Sequence, residues 1–244
     1  MLRIVPSAMA IACLLGNKRK AMKRVIFGVN QLAELVFSYL TEVSGLEVEC
    51  FTVSSSFLPE KDGSHLPRCL IGLEALPDFL GCSPNEIGVY VCVGYNKMNS
   101  IRRTIYKVID SLGYEILSYA HPSAIVSSSS RIGRGCIMFE QAVVQPFTTL
   151  GEGNILWSNA LISHHTSVGS FNFFAPSVSI AGDVQIGDEC FFGNNATVRN
   201  GVKIENGALI GAGCYVSSDV KCRSVYLGPR AFLSECDSSS YETW

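Results

Sequence analysis

Between His121 and Cys222 every sixth residue is apolar, from Val126 and Ile132 through Phe174 and Ile180 to Val216 and Cys222. The stretch divides into seventeen six-residue words without an insertion or deletion. The fourth letter is small in most words (Ala124, Ser130, Cys136, Ala142, Ala160, Cys190, Ala208), with Asn154 and Asn172 as polar variants. A period of six fits neither the 3.6-residue turn of a helix nor the two-residue alternation of an ordinary strand. It predicts a triangular solenoid, in which three short strands make one coil and each residue meets its equivalent one coil later. The last letter then points into the prism. The fourth points in near a corner, where only a small side chain fits beside its stacked neighbours. Glycine and asparagine early in the words, such as Gly133, Gly151 and Asn195, suit corners that need tight or left-handed backbone.

Upstream the pattern changes to alternating strand and helix. Val25, Ile26 and Phe27 form a short apolar run ending at Gly28, and Leu32, Leu35, Val36, Tyr39 and Leu40 share one face of a helix predicted over 31–43. Further strands are predicted over 46–53, 87–93 and 114–119, and a helix over 99–112. This alternation predicts a small parallel, Rossmann-like α/β sheet. Ligands of such sheets sit at the carboxyl ends of the strands, which places 28–32, 53–56 and 94–99 around one crevice. The chain thus reads as an extension (1–21), a Rossmann-like domain (22–120), a β-helix (121–228) and a tail (229–244). In the extension the apolar run precedes Lys18, Arg19 and Lys20, the reverse of a signal peptide, and it is too short to cross a bilayer. The Ser-rich tail is expected either to cap the last coil or to stay partly disordered.

Composition changes this picture little. With 48% hydrophobic residues, 16% charged residues and a net charge of −2, the chain gives no reason to expect nucleic acid or a membrane surface as partner. None of its ten cysteines forms a CxxC pair. Cys136, Cys190, Cys214 and Cys222 fall on inward positions of the solenoid, so they read as small apolar core residues of a chain in the reducing cytoplasm.

The order of a short Rossmann-like domain, the phrase His121-Pro122-Ser123-Ala124 and an uninterrupted hexapeptide solenoid resembles the bacterial sialic-acid and bacillosamine-pathway sugar O- and N-acyltransferases. The resemblance covers about residues 23–230. It implies a left-handed β-helix that holds acetyl-CoA, an amino-terminal domain that holds a nucleotide-linked sugar, and a homotrimer with active sites between subunits. The activity it implies is transfer of acetyl to the amino group of a nucleotide-linked amino sugar, a 4-amino-4,6-dideoxyhexose, for surface-polysaccharide or glycan synthesis. An O-acetyltransferase or another acyltransferase on the same fold, and a non-catalytic or metal-dependent solenoid, remain open as alternatives.

The family's centre is a histidine followed by an acidic residue ahead of a Gly-centred corner. Here the matching text runs from Ile162 to Gly169, with His164 in the base position and His165 where the carboxylate belongs. An imidazole with pKa near 7 suits removal of the amine proton during acyl transfer. One coil later Asp183 is expected to stack on His165 and to orient or charge it. Adjacent strand residues point to opposite sides, so the two histidines chelate poorly and no metal is expected. The resemblance puts coenzyme A against Phe173, Gly182, Asn194 and Ala212, Phe173 standing where some relatives carry a second histidine. It puts the nucleotide sugar against Gly28, Asn30, Gln31, Asn96, Asn99 and Arg102.

Overall fold

The computed structural model describes residues 22–58 and 66–233. The extension over 1–21 and most of the tail lie outside the described residues. No helix among those described is long and apolar enough to cross a membrane.

The amino-terminal sheet has five parallel strands: β1 (Lys23–Phe27), β2 (Cys50–Val53), β3 (Leu70–Gly72), β4 (Ile87–Val91) and β5 (Glu115–Ile116). Their order is β3-β2-β1-β4-β5. Helix α1 (Gln31–Ser38) follows β1 and ends in a widened turn to Val43, so the helical stretch keeps its expected end. Helix α2 (Leu76–Leu80) follows β3, and α3 (Ser100–Ser111) follows β4. Two expectations are corrected. The strand predicted over 46–53 pairs only from Cys50. The strand predicted over 114–119 is divided: Glu115–Ile116 ends the sheet, while Tyr119–Ala120 pairs with Ile137–Met138 as the first rung of the solenoid. Strand β3 was not foreseen, because three residues are too short to display a period.

The solenoid has three parallel sheets. Its first face carries Ile155–Leu156 and Phe173–Phe174, its second Leu161–Ile162 and Ser179–Ile180, its third Ser167–Val168 and Gln185–Ile186. Every last letter from Met138 to Val216 is buried, as are the fourth letters from Ala124 to Cys214. The polar fourth letters are satisfied where they stand. Asn154 Oδ1 accepts from the backbone N–H and side-chain amide of Asn172 at 2.9 and 3.0 Å, and Asn172 Oδ1 accepts from the Cys190 N–H at 2.7 Å. This asparagine ladder closes buried hydrogen bonds that an apolar residue would leave open.

From Gly135 to Gly213 the left-handed backbone falls on the third letter of the word, as in Gln141 (φ 55°), His165 (57°), Asp183 (58°) and Asn195 (57°). Gly133 and Gly151 are first letters without that conformation, but a Cβ at either would meet the next coil at 2.5 Å, so Asn195 meets the expectation by left-handed backbone and the two glycines by tightness. The register also slips once. Val220 bridges Ile204, and Leu209 pairs with Val225, in both cases 16 positions on instead of the 18 that separate Leu209 from Phe191. The corner before Val220 is two residues short, and Asp219 Oδ1 takes the Lys203 N–H at 2.8 Å where a backbone carbonyl would otherwise serve. Val220 is therefore the inward residue of the last coil at 1% exposure, and Cys222, expected inside, is exposed. The described part of the tail does not cap that coil: Phe232 and Leu233 are 89% and 97% exposed.

The two domains are joined by a buried arginine. Arg102, 0% exposed on α3, donates to four backbone carbonyls: Gly153 (2.9 Å) and Asn172 (3.1 Å) of the solenoid, and Val93 (3.1 Å) and Gly94 (2.8 Å) after β4. Asn99 Nδ2 donates to the Cys190 carbonyl at 3.1 Å, and the Tyr106 hydroxyl to the Gly135 carbonyl at 2.8 Å.

Candidate active site

A cavity of about 900 Å³ opens where the amino-terminal domain meets the first face of the solenoid. Its floor is the turn after β1 and the first turn of α1. Gly28 makes that turn with φ 133°, and a Cβ there would lie 2.8 Å from the Cys92 carbonyl oxygen, so both conformation and space require glycine. Asn30 caps α1, its Oδ1 accepting from Ala33 N–H at 3.0 Å while its Nδ2 donates to Cys92 O at 3.1 Å. The second wall is the loop Gly94, Tyr95 and Asn96, and the third is Trp157 and Phe173 of the solenoid. Tyr95 packs on Phe173 and Phe191 with ring centres 4.9 Å away in each case, and Phe173 stacks on Phe191 at 5.5 Å. The cavity thus brings three aromatic rings, Tyr95, Trp157 and Phe173, beside the start of a helix whose first N–H groups favour negative charge.

Of the residues expected around the nucleotide sugar, Asn30, Gln31 and Asn96 line this cavity, and Gly28 shapes its floor. Asn99 and Arg102 do not. Both are fully buried and spend their donors on solenoid and loop carbonyls, so they hold the domains together and are corrected here from binding residues to structural ones. Burial lowers the Arg102 guanidinium to about 10, which leaves it cationic at neutral pH. The stretch 53–56, also placed in the crevice from the sequence, contributes nothing to the cavity lining. Glu34 and Leu35 were missed there. They sit one helical turn beyond Gln31, and only the packing of α1 beside the solenoid shows which side of the helix meets the cavity.

His164 and His165 occupy the corner between the second and third faces, opposite the first face. Both are exposed. They are corner residues, and because His165 adopts the left-handed conformation the rings converge: Nδ1 of His164 and Nδ1 of His165 are 3.1 Å apart, with the ring planes at 81°. The expectation that they point to opposite sides is thereby corrected. The backbone N–H of His164 donates to Gln145 Oε1 at 3.1 Å, and the His165 ring packs 4.8 Å from that of Phe147. Beyond Nδ1, the His164 ring makes no hydrogen bond among the described residues, which leaves Nε2 open at the surface.

Gly182, on the following coil, packs directly against the His164 ring. A Cβ at 182 would meet Cε1 at 2.5 Å and Nε2 at 2.8 Å. Its backbone N–H has no acceptor among the described residues, while its carbonyl accepts from Gly201 N–H at 3.1 Å. Asp183 stacks one coil above His165 as expected, its N–H donating to the His164 carbonyl at 3.0 Å. Among the described residues no hydrogen bond or ion pair joins its carboxylate to His165, whose ring partner is His164. Asn194 and Ala212 sit on a different corner, between the first and second faces, and are exposed. Phe173 lines the cavity and is separated from Gly182 by the width of the prism. Among the described residues no group of three or more His, Cys, Asp or Glu side chains is placed to hold a metal ion.

An exposed imidazole with one nitrogen engaged, beside an unpaired backbone N–H, supplies a proton acceptor and an oxyanion donor in one place. Residues 165–200 match the bacterial transferase hexapeptide family (six repeats), and residues 183–218 match the hexapeptide repeat of succinyl-transferase. No curated protein matches the chain. Among solved structures it is similar to the acetyltransferase domain of PglB from Neisseria gonorrhoeae FA1090, at 27% identity and TM-score 0.72 over 84% of this chain and 96% of that one. The same domain in complex with acetyl coenzyme A aligns at 26% identity and TM-score 0.71 over the same shares. PerB from Caulobacter crescentus, in complex with CoA and GDP-perosamine, shares the fold at 24% identity and TM-score 0.72 over 84% of this chain and 94% of that one. Fold, repeat and site together define the class: the chain is an acyltransferase built on a left-handed β-helix. Within that class its domain order and overall structure are similar to those of the nucleotide-sugar N-acyltransferases, the resemblance read from its sequence.

Proposed function

We propose that the chain transfers acetyl from acetyl-CoA to the amino group of a nucleotide-linked amino sugar, a 4-amino-4,6-dideoxyhexose, with His164 as general base. The observation that carries this reading is the His164 ring, exposed at Nε2, engaged at Nδ1 and laid over Gly182 with its free N–H. Nε2 accepts the proton released as the sugar nitrogen attacks the thioester carbonyl, and the Gly182 N–H meets the negative charge that develops on the carbonyl oxygen. The C–S bond then breaks and the thiolate leaves with a proton, without an acyl-enzyme. PglB's acetyltransferase domain, which binds acetyl coenzyme A, supports the donor, and PerB's complex with GDP-perosamine supports an acceptor of this kind.

In one chain the cavity on the first face and His164 on the far corner cannot serve one reaction. A homotrimer resolves this, with the cavity of one copy facing the His164 corner of the next. Gly182, Asn194 and Ala212, on two corners, would then flank coenzyme A from two copies, in the cytoplasm where the donor is made. The test is acetyl transfer from acetyl-CoA to a panel of UDP-, dTDP- and GDP-linked amino sugars, with serine and free sugars as competitors. One nucleotide-linked amine is expected to dominate. Preference for a hydroxyl or a free small amine would replace this reading with O-acetyl or small-amine transfer.

A further inference from the structure

The carboxylate that follows the base in the resembling family is absent, and His165 stands in its place. We propose that His165 is the positioning residue for His164, the two rings forming an uncharged two-imidazole pair. This rests on the reading of His164 as general base. The Nδ1–Nδ1 separation of 3.1 Å is that of a hydrogen bond, and two imidazoles make one only when a single proton lies between them. With that proton on His164, Nδ1–H donates to the lone pair of His165 Nδ1, and His164 Nε2 is left unprotonated for the amine proton. The αL conformation of His165 brings its Nδ1 to that position, and the Phe147 ring supports it from the coil below.

The groups packed against the pair are few. Gln145 and Phe147 come from the preceding coil, Gly182 and Asp183 from the following one, and Asp183 alone among them is charged. Asp183 makes no ion pair with either ring. The partner of His164 is therefore an imidazole and not a carboxylate. A neutral acceptor fixes the tautomer as a carboxylate does, but it stabilises the imidazolium less. A proton on Nδ1 of both rings would set two N–H groups against each other at that distance, so the proton taken from the amine goes to His164 Nε2.

The experiment compares wild type with His165→Phe, His165→Glu and His164→Ala by the pH dependence of kcat and kcat/KM, with thermal melting as a control for folding. His165→Phe is expected to lower kcat by about tenfold or more at little change in KM for acetyl-CoA, because the tautomer is no longer held. His165→Glu is expected to restore most of that rate above neutral pH and to move the acidic limb upward by about one pH unit. Histidine-selective ¹⁵N NMR of wild type is expected to show His164 protonated at Nδ1 and not at Nε2. An unchanged rate and pH profile in the His165→Phe variant would overturn the pair while leaving the general base intact. His164→Ala with full activity would overturn the base itself, so the two failures are distinguishable.

Discussion

The imidazole of His164 rests on Gly182 with no room between them: a single methyl at 182 would come within 2.5 Å of Cε1. The residues are eighteen apart, one coil, so the contact is a direct product of the repeat. Gly182→Ala is expected to displace the ring. Misplacement of a catalytic group by about 1 Å costs on the order of a hundredfold, so kcat should fall between about tenfold and a hundredfold with little change in melting temperature. Steady-state kinetics beside a thermal melt checks this. Full activity in the alanine variant would mean that the ring position seen here is not the working one.

Arg102 makes four hydrogen bonds to backbone carbonyls of two domains and touches no carboxylate among the described residues. Replacing it with methionine leaves those carbonyls short of a donor in a buried seam, a loss of about 2–4 kcal/mol. Arg102→Met should therefore lower the urea midpoint and, by loosening the Gly94–Asn96 wall, raise KM for the nucleotide sugar. A raised KM at unchanged stability would instead point to direct contact with substrate.

Buried thiols predict an alkaline weakness. Burial pushes Cys136 up to about 12 and Cys190 to about 11, from an ordinary value of about 9. A raised folded-state pKa contributes stability that is whole below pH 9 and is lost as pH rises toward the folded value, because the unfolded thiol ionises first. At pH 10 each such thiol removes on the order of 1 kcal/mol. The stability difference between wild type and Cys136→Ala should shrink by that amount between pH 8 and pH 10, measured by urea unfolding at both. An unchanged difference would mean that Cys136 is open to solvent.

Trp157 lines the cavity, and the chain's other tryptophan is Trp244. In a Trp244→Phe background, filling of the cavity by a nucleotide sugar should change Trp157 emission, and titration yields Kd directly. Tyr95→Ala, which removes the ring over Phe173, should weaken that Kd by about tenfold, in line with the 1–3 kcal/mol that an aromatic contact to a base contributes. Coenzyme A alone should leave the signal unchanged if it lies on the corners carrying Gly182, Asn194 and Ala212.

The solenoid was legible from the sequence because each inward position depends only on residues one coil away, so the constraint is written into the chain at a fixed interval. The same locality made the stacking of Asp183 on His165 readable by counting, while His164 and Gly182 were reached through the resemblance. What the count missed was set by contacts with no fixed interval. Val220 takes the place expected of Cys222 because a corner was shortened and Asp219 supplied the missing acceptor. Arg102 and Asn99, which from the sequence suit a phosphate or a base, turn out to be buried against carbonyls 51 to 91 positions away. The convergence of His164 and His165 was hidden for a third reason, since a strand would send them apart and only the left-handed φ of the second residue turns their rings together. Repetition along the chain therefore determined the prism and the corner that bears the imidazole. Packing between two domains decided which polar groups stay free to meet a ligand, because a buried polar side chain must find its partner wherever the fold brings one.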